Sequence, residues 1–386
     1  MSDMSLKFAL HEESLEVVTT TERLQQIGPA WSALWERADG LVFQSHGWVE
    51  AWWNTHQNRK CHLRIGLIWD KDLLIAVFPL AVSRRQGVRL LQWAASDCSD
   101  YCDILAAPEC PDAALERLWG FLCASGGFDL VYLNRILPQA TVRLLVGNQQ
   151  KNALMLIPNY RQESSYRVTG QWQNGAAWLA GQPKKTRQEY RRHLRILDEA
   201  GPLEFRLLPP EEPVGALLKR LANLKRKNLA ARNIQSTMYD EGSGALPALV
   251  QVLAATGTLR FFVLECKGEM IAASVNFAQK NTMMAYVTTY DASFSRGSPG
   301  DVLMTEYIQW SFDHGFECVD FLCGAERFKN KLATHSVALD SVVAVASLRG
   351  HLANFLDGAR HRIRQIQSRL RRASSRSQSV RKPKNT

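Results

Sequence analysis

The same order of predicted elements occurs twice in this chain, and that repetition constrains its fold more than any other feature. Each copy has a strand, a short polar turn, a second strand, a helix, and a strand that begins with Gly-Phe. In sequence order these elements are 63–70, 73–82, 112–125 and 127–133, then 259–266, 270–279, 301–314 and 315–322. The copies lie roughly 190 positions apart, which predicts a duplicated unit of strands and helices rather than chance similarity between short apolar runs.

The positive charge is concentrated at the C-terminus. Residues 351–386 hold ten Lys and Arg residues and one acid, Asp357, so this segment carries +9 of the formal net charge of +10. The pattern predicts a short helix followed by a disordered Ser/Arg/Lys-rich tail that aids solubility. Two alternatives are attachment to an anionic membrane surface and attachment to nucleic acid. Because no nucleic-acid-reading motif accompanies the charge, no specific nucleic acid partner is expected.

The rest of the composition predicts a cytoplasmic protein. There is no apolar run of about 18 residues, and the N-terminus lacks a basic region followed by an apolar stretch. The eight cysteines are scattered, which fits reduced thiols better than a disulfide framework. Their spacing also argues against a metal site. Peripheral contact with the inner membrane through the tail is compatible with this location.

Two basic helices are predicted between the copies, at 184–200 and 214–233. Lys184, Arg187 and Arg191 in the first are candidates for binding an anionic acceptor substrate. The second contains Lys225 and Arg232 among its cations. A solvated charged face is the competing explanation for both helices.

The segment Arg296-Gly297-Ser298-Pro299-Gly300 joins a predicted strand to a helix that Asp301 opens. Glycines allow positive φ and close approach of the backbone, and the N–H groups of a helix start attract anions. This order of strand, glycine loop and helix predicts a pyrophosphate site, to which Arg296 adds a charge-assisted contact. The first copy lacks glycine at the equivalent place, so only the second copy is expected to bind such a ligand.

The second copy resembles the GNAT superfamily of N-acetyltransferases. More closely, the chain resembles the CelD-type acetyltransferases of cellulose and exopolysaccharide synthesis, which share a double-GNAT plan with the Fem peptidyltransferases. The resemblance is carried by Gly268 to Ala273, Tyr290-Asp291, Ser298-Pro299-Gly300, Asp320-Phe321-Leu322-x-Gly324-x-Glu326-x-Phe328-Lys329, and the N-terminal Trp31-x3-Trp35 and Val42-Phe43-Gln44-Ser45-x2-Trp48-x3-Trp52. The chain departs from the family at the glycine loop, which is only partly matched, and at Phe328, where Tyr is usual.

The resemblance implies an α/β (α+β) fold with two tandem GNAT-like domains, mixed central sheets flanked by helices, and the basic tail. The corresponding boundaries are 1–165 for a degenerate first domain, 166–345 for an acyl-CoA-binding second domain, and 346–386 for the tail. Acetyl-CoA or another acyl-CoA is then the co-substrate, with no metal. The residues expected to contact it are Met284, Val287, Thr288, Thr289, Arg296, Gly297, Ser298, Gly300 and Asp301.

Candidate catalytic residues are Asp320, Glu326 and Tyr290. Asp320 lies in an otherwise apolar strand, where it is either the base for the acceptor amine or a structural hydrogen-bond acceptor. Glu326 is a second candidate base, and Tyr290 a candidate proton donor for the thiolate or a packing residue. Lys329 resembles the family's terminal lysine and could bind a phosphate or pair with Asp320.

The predicted function is therefore N-acyl transfer to an amino group, or a hydroxyl group, of a sugar, nucleotide-sugar or cell-envelope precursor. Two other functions stay open. One is a Fem-like transferase that uses aminoacyl-tRNA, and the other is a non-catalytic scaffold or regulator of polysaccharide synthesis.

Overall fold

The computed structural model describes residues 13–56, 61–148, 153–324 and 327–362. The strands are β1 Ser14–Val18, β2 Cys61–Leu63, β3 Ile65–Asp70, β4 Leu73–Phe78, β5 Leu80–Arg85, β6 Val88–Trp93, β7 Leu105–Ala106, β8 Leu130–Ile136, β9 Ile157–Pro158, β10 Glu163–Thr169, β11 Leu203–Leu207, β12 Leu259–Cys266, β13 Glu269–Gln279, β14 Thr282–Tyr290, β15 Cys318–Cys323 and β16 His335–Val345. The helices are α1 Thr21–Gln26, α2 Gly28–Arg37, α3 His46–Asn54, α4 Asp112–Ala124, α5 Gly175–Gly181, α6 Lys184–Asp198, α7 Gly215–Ala230, α8 Ala245–Ala255, α9 Pro299–Asp313 and α10 Arg327–Leu332. Residues 348–362 are also helical.

Two sheets form the centre of the molecule. The smaller is antiparallel and has the order β1-β3-β4-β7, whereas the larger is mixed. The larger runs β11-β12-β13-β14-β15-β10-β16-β8-β6-β5-β2, with β9 paired to β16. Helices cover these sheets, and α9 is buried along most of its length. The α/β fold class predicted from the sequence is confirmed.

The two halves of the chain repeat one arrangement, as the sequence predicts. In each half, a hairpin comes before a strand, a helix and one more strand. The strand before the helix and the strand after it pair in parallel. β14 pairs with β15 in this way in the second half, and β6 pairs with β8 in the first. The tips of the two equivalent hairpins also match, because Lys71 and Lys267 both adopt the left-handed conformation that tight hairpin turns require. The halves differ at Pro79, which separates β4 from β5. These two strands belong to different sheets, whereas the equivalent strand of the second half, β13, is continuous.

Strand β16 joins the two halves. Its first residues, from His335, pair with β10, and its last residues, up to Val345, pair with β8. The larger sheet is therefore continuous across the chain. The predicted domain boundary between residues 165 and 166 falls within β10. This strand pairs with β15 on one side and with β16 on the other.

Candidate functional site

Strands β14 and β15 separate after three paired residues. They are hydrogen-bonded from Thr282 opposite Cys318 to Met284 opposite Asp320, and the pairing stops there. Each strand then has an irregularity. In β14 the register with β13 shifts so that Tyr286 has no partner, and β15 has one residue more than β10 over the same stretch. Bulges of this kind bend a strand and end its pairing, so two bulges side by side explain the divergence.

Leu322 carries the strain of the second bulge. Its φ of 58° lies in the left-handed region, which costs a branched apolar residue roughly 1–2 kcal/mol. The conformation persists because the Leu322 N–H donates to Oδ1 of Asp320 at 2.8 Å and the side chain is buried. Arg135 is left-handed near the end of β8, the corresponding strand of the first half. Outliers of this kind often lie beside functional sites.

A cleft of about 270 Å³ lies between the diverging strands. Its walls come from α7, β14, the start of α9 and the end of β15. The lining residues are Lys225, Asn228, Leu229, Arg232, Ala285, Tyr286, Thr288, Thr289, Tyr290, Ser295, Ser298, Gly300, Asp301, Met304, Tyr307, Phe321, Cys323 and Lys329. Three of these are cations and one is an acid, so the cleft suits an anionic ligand.

The loop before α9 has the predicted position but a different backbone geometry. The left-handed residue is Ser298, with a φ of 43°, whereas neither Gly297 nor Gly300 has positive φ. This conformation turns the chain into Pro299 at the first position of the helix. The N–H groups of Asp301 and Val302 both donate to the Ser298 carbonyl, at 2.9 and 3.2 Å. An anion at this helix start would therefore compete with Ser298 for those two groups.

The two glycines of the loop have different roles, which corrects the expectation that both face a ligand. A Cβ on Gly297 would lie 2.4 Å from a methyl carbon of Leu197, so this glycine allows α6 to pack against the loop. A Cβ on Gly300 would lie 3.1 Å from the Tyr290 ring, at the wall of the cleft. Gly300 is thus the glycine that keeps the cleft open. Arg296 is exposed and is not among the lining residues.

Helix α7 covers the edge of β14 that β15 has left. Lys225 Nζ donates to the Thr288 carbonyl at 2.9 Å, and Asn228 Nδ2 donates to the Tyr290 carbonyl at 2.9 Å. These two carbonyls, two residues apart, point to the same side of the strand. A ligand that adds along this edge must share or replace those hydrogen bonds.

Asp320 is held in a buried ion pair outside the lining of the cleft. Its Oδ2 accepts from Tyr101 at 2.7 Å and from Nε of Arg167 at 2.8 Å, and the residue is 1% exposed. With Oδ1 bonded to the Leu322 N–H, both carboxylate oxygens have partners. This geometry favours the structural role over that of a base, and it places the pair at the contact between the two halves.

The inner end of the cleft holds a different polar group, formed by the predicted Lys329 and by Asp100, which the sequence analysis missed. Lys329 is buried and donates to the Cys323 carbonyl, while the Cys323 N–H donates to Oδ1 of Asp100 at 3.3 Å. Asp100 comes from the first half of the chain. Burial raises its pKa, which the Arg135 and Lys329 cations oppose. No local pattern in the sequence around Asp100 marks it, because only the packing of the halves brings it to Cys323.

Three tyrosines line the cleft. Tyr290, the candidate proton donor from the sequence, is one of them and lies beside Gly300. Tyr286 donates its hydroxyl to the Cys98 carbonyl at 2.7 Å, and burial raises its pKa well above the usual range. Burial also raises the pKa of the Tyr307 hydroxyl, on α9. Tyr286 and Tyr307 therefore stay protonated at neutral pH and can donate hydrogen bonds.

Asp301 is the acid in the lining. Burial raises its pKa, and the Lys331 and His193 side chains oppose that shift. A carboxylate here is unfavourable for a bound anion, which departs from the expectation that Asp301 helps to hold a pyrophosphate.

Several predicted site residues lie away from the cleft. Met284 and Val287 are buried in the core and do not line it, whereas Thr288 and Thr289 do. Lys184, Arg187 and Arg191 belong to α6, whose inner face packs behind the loop through His193 and Leu197. None of these three cations lines the cleft. Lys225 of α7 and Arg232, in the turn that follows α7, line it instead. Glu326 lies outside the described residues.

A comparison with protein families identifies this part of the chain. A family model described as an acetyltransferase (GNAT) domain matches residues 184–330. Residues 184–330 form a GNAT-type acetyltransferase domain. Every residue that lines the cleft falls within this GNAT domain. The prediction of an acyltransferase is confirmed, and that of a GNAT fold in the second half with it.

Solved structures resemble the chain over both halves. The C-terminal domain (DUF2156) of a proposed lysylphosphatidylglycerol synthetase from Agrobacterium fabrum has a TM-score of 0.51 and 12% identity, over 87% of this chain and 96% of that one. FemX has a TM-score of 0.52 and 9% identity, over 84% and 96%. Identities this low show a shared fold only. Among curated proteins, no match was found.

Two further observations concern the described residues alone. No helix in them is long and apolar enough to cross a membrane. Their His, Cys, Asp and Glu side chains form no group of three or more that could hold a metal ion.

Proposed function

We propose that this protein transfers an acyl group from acetyl-CoA, or another acyl-CoA, to an amino group. The observation that carries the proposal is the cleft between β14 and β15 within the GNAT domain. It offers a strand edge whose carbonyls, now held by Lys225 and Asn228, would accept from the amides of the donor's arm, and it offers cations for the donor's phosphates. The Ser298–Gly300 end would receive the phosphates, and the thioester would lie toward Tyr286 and Cys323.

The reaction joins the amine nitrogen to the acyl carbon and breaks the carbon–sulfur bond. The amine must lose a proton, and the departing thiolate must gain one. We propose Asp100 as the proton acceptor, in place of Asp320, because its Oδ1 accepts the N–H of Cys323, which lines the cleft, and because burial raises its pKa. Tyr307 lines the cleft as a protonated phenol and is the proposed donor to the thiolate, with Tyr290 as the second candidate.

The acceptor we propose is the amino group of a sugar, nucleotide-sugar or cell-envelope precursor. A hydroxyl group of such a precursor is the alternative acceptor. This rests on the sequence resemblance to the CelD-type enzymes and on the cations Lys225 and Arg232, which line the cleft. The aminoacyl-tRNA and scaffold alternatives differ from it in a measurable way. The first predicts that RNA competes with the donor, and the second that acyl-CoA does not bind.

Calorimetric titration with acetyl-CoA tests the donor site. Gly300→Glu would fill the cleft wall, so we expect it to abolish binding without unfolding the protein. Gly215→Glu is the matched control, since it places the same side chain in the first turn of α7 at an exposed glycine with no atom within 4 Å of the added Cβ. Arg296→Ala tests the predicted charge contact. Equal binding by wild type and Gly300→Glu would place the donor elsewhere, and no binding of any acyl-CoA would refute the proposal.

A further inference from the structure

The helical segment 348–362 presents an apolar stripe to solvent. Leu348 is 88% exposed, Leu352 60%, Phe355 71% and Leu356 43%. These positions are spaced by four, three and one residues, so they fall on one face of a helix. Large apolar side chains on the inner face of a surface helix are ordinary, whereas a continuous exposed row of them marks an interaction surface.

The helix is attached to the protein by its opposite face, and mainly by polar and small residues. Gly350 is buried, and a Cβ there would lie 1.9 Å from the Asp129 carbonyl oxygen. Asp357 accepts hydrogen bonds from Tyr160 and Arg161, and the His361 ring packs against Tyr160 at 4.3 Å. The contacts that hold the helix thus fix its orientation with the apolar stripe outward.

The charge around the stripe is positive. Arg349, Arg360 and Arg362 belong to the same helix, and its one acid, Asp357, is paired with Arg161. The 24 residues that follow the described helix contain eight Lys and Arg residues and no acid. An apolar face bordered by cations and continued by a polybasic segment has the chemistry of a helix that lies in the surface of an anionic bilayer.

We propose that helix 348–362 docks this protein on an anionic lipid surface, with the stripe in the acyl-chain boundary and the cations at the headgroups. Attraction of basic residues to nucleic acid requires no exposed row of Leu and Phe, so the stripe favours lipid. A second copy of the chain would bury the stripe but would bring two sets of cations together, which is unfavourable.

Vesicle co-sedimentation of the full chain tests the proposal, with phosphatidylcholine alone and with phosphatidylcholine mixed with phosphatidylglycerol. We expect binding to the mixed vesicles only. The double variant Leu352→Gln/Phe355→Gln should weaken it at least about tenfold, because two large apolar side chains no longer enter the bilayer. The matched control is Leu73→Gln/Ile234→Gln, which changes two comparably exposed apolar residues elsewhere. Replacing Arg364, Arg369, Arg371 and Arg372 by Gln should weaken binding most at low salt.

Each result that contradicts these expectations refutes a specific part of the docking proposal. No sedimentation with either vesicle refutes the proposal, and equal binding by the stripe variant and the control refutes the role of the helix. If size-exclusion chromatography shows a dimer that the stripe variant loses, the stripe is a protein interface. If the wild type binds RNA but not the mixed vesicles, the cations of this segment bind nucleic acid instead of lipid. Acetyl-CoA titration of the stripe variant should be unchanged, which separates this proposal from that for the cleft.

Discussion

The Nζ atom of Lys225 lies 2.9 Å from the carbonyl oxygen of Thr288, on the strand edge from which β15 has turned away. With Asn228 on the Tyr290 carbonyl, helix α7 satisfies the acceptors that the divergence exposes. The protein's own side chains thus occupy the place where a ligand amide would bind. This competition can be measured, because Asn228 carries no charge that would itself attract an anionic donor.

Asn228→Ala should therefore strengthen acetyl-CoA binding several-fold while it lowers the free energy of unfolding by about 1 kcal/mol, the usual contribution of one hydrogen bond. Titration calorimetry and denaturant unfolding give the two quantities. Asn223→Ala is the control on the same helix, since Asn223 bonds to Arg226 instead of the strand. Weaker donor binding by Asn228→Ala would mean that α7 assists the ligand.

Asp320 and Asp100 should respond differently to replacement by asparagine. Asp320→Asn leaves Arg167 without its charged partner in a buried site, and we expect a loss of about 3 kcal/mol in unfolding free energy. Asp100→Asn should keep acetyl-CoA binding but lose most of the acyl-transfer rate. Unfolding curves for both variants, with donor titration and rate measurement, distinguish the roles. If Asp320→Asn unfolds like wild type yet is inactive, Asp320 is the base after all.

Replacing each of the two glycines in the loop before α9 by alanine should affect stability to different extents. Gly297→Ala forces a methyl group against Leu197 and should cost roughly 1–3 kcal/mol of stability by overpacking. Gly300→Ala meets only the edge of the Tyr290 ring at 3.1 Å and should cost less. Thermal unfolding of the two variants compares them. Equal losses would contradict the distinction between a packing glycine and a cleft glycine.

Asp301 should make stability depend on pH. Its pKa is raised from 3.8 by burial, so the proton it binds in the folded state stabilises the protein fully below about 3.8, and this stabilisation is lost as pH rises through the folded-state pKa. Asp301→Asn should therefore be more stable than wild type near neutral pH, and the difference should shrink on acidification. It should also bind acetyl-CoA more tightly, since a carboxylate leaves the anion site. A pH-independent difference in unfolding free energy would exclude this explanation.

Much of the fold was predictable because its signals are local. The second hairpin, 259–266 with 270–279, corresponds to β12 and β13, and the predicted helix 301–314 corresponds to α9. Alternating apolar runs, polar turns and helix-start residues suffice for such elements. The duplicated order then led to the correct fold class.

The site was less predictable because it depends on packing. Asp320 lies in a strand that is buried on both faces. The alternation of polar and apolar residues therefore could not show on which face of the sheet the Asp320 side chain lies. The segments 184–200 and 214–233 are both basic. Only their tertiary positions decide that Lys225 and Arg232 line the cleft while Lys184, Arg187 and Arg191 do not. The bulges at Tyr286 and Leu322 have no glycine to mark them.

The shared strand β16 has a consequence for how the protein is made. Since β16 follows β8 by about 200 residues, β8 stays an uncovered sheet edge on a ribosome-bound chain until the second half has also been synthesised. Such edges recruit strands from other chains. The first half therefore keeps an aggregation-prone edge while the second half is being synthesised, and β16 closes that edge.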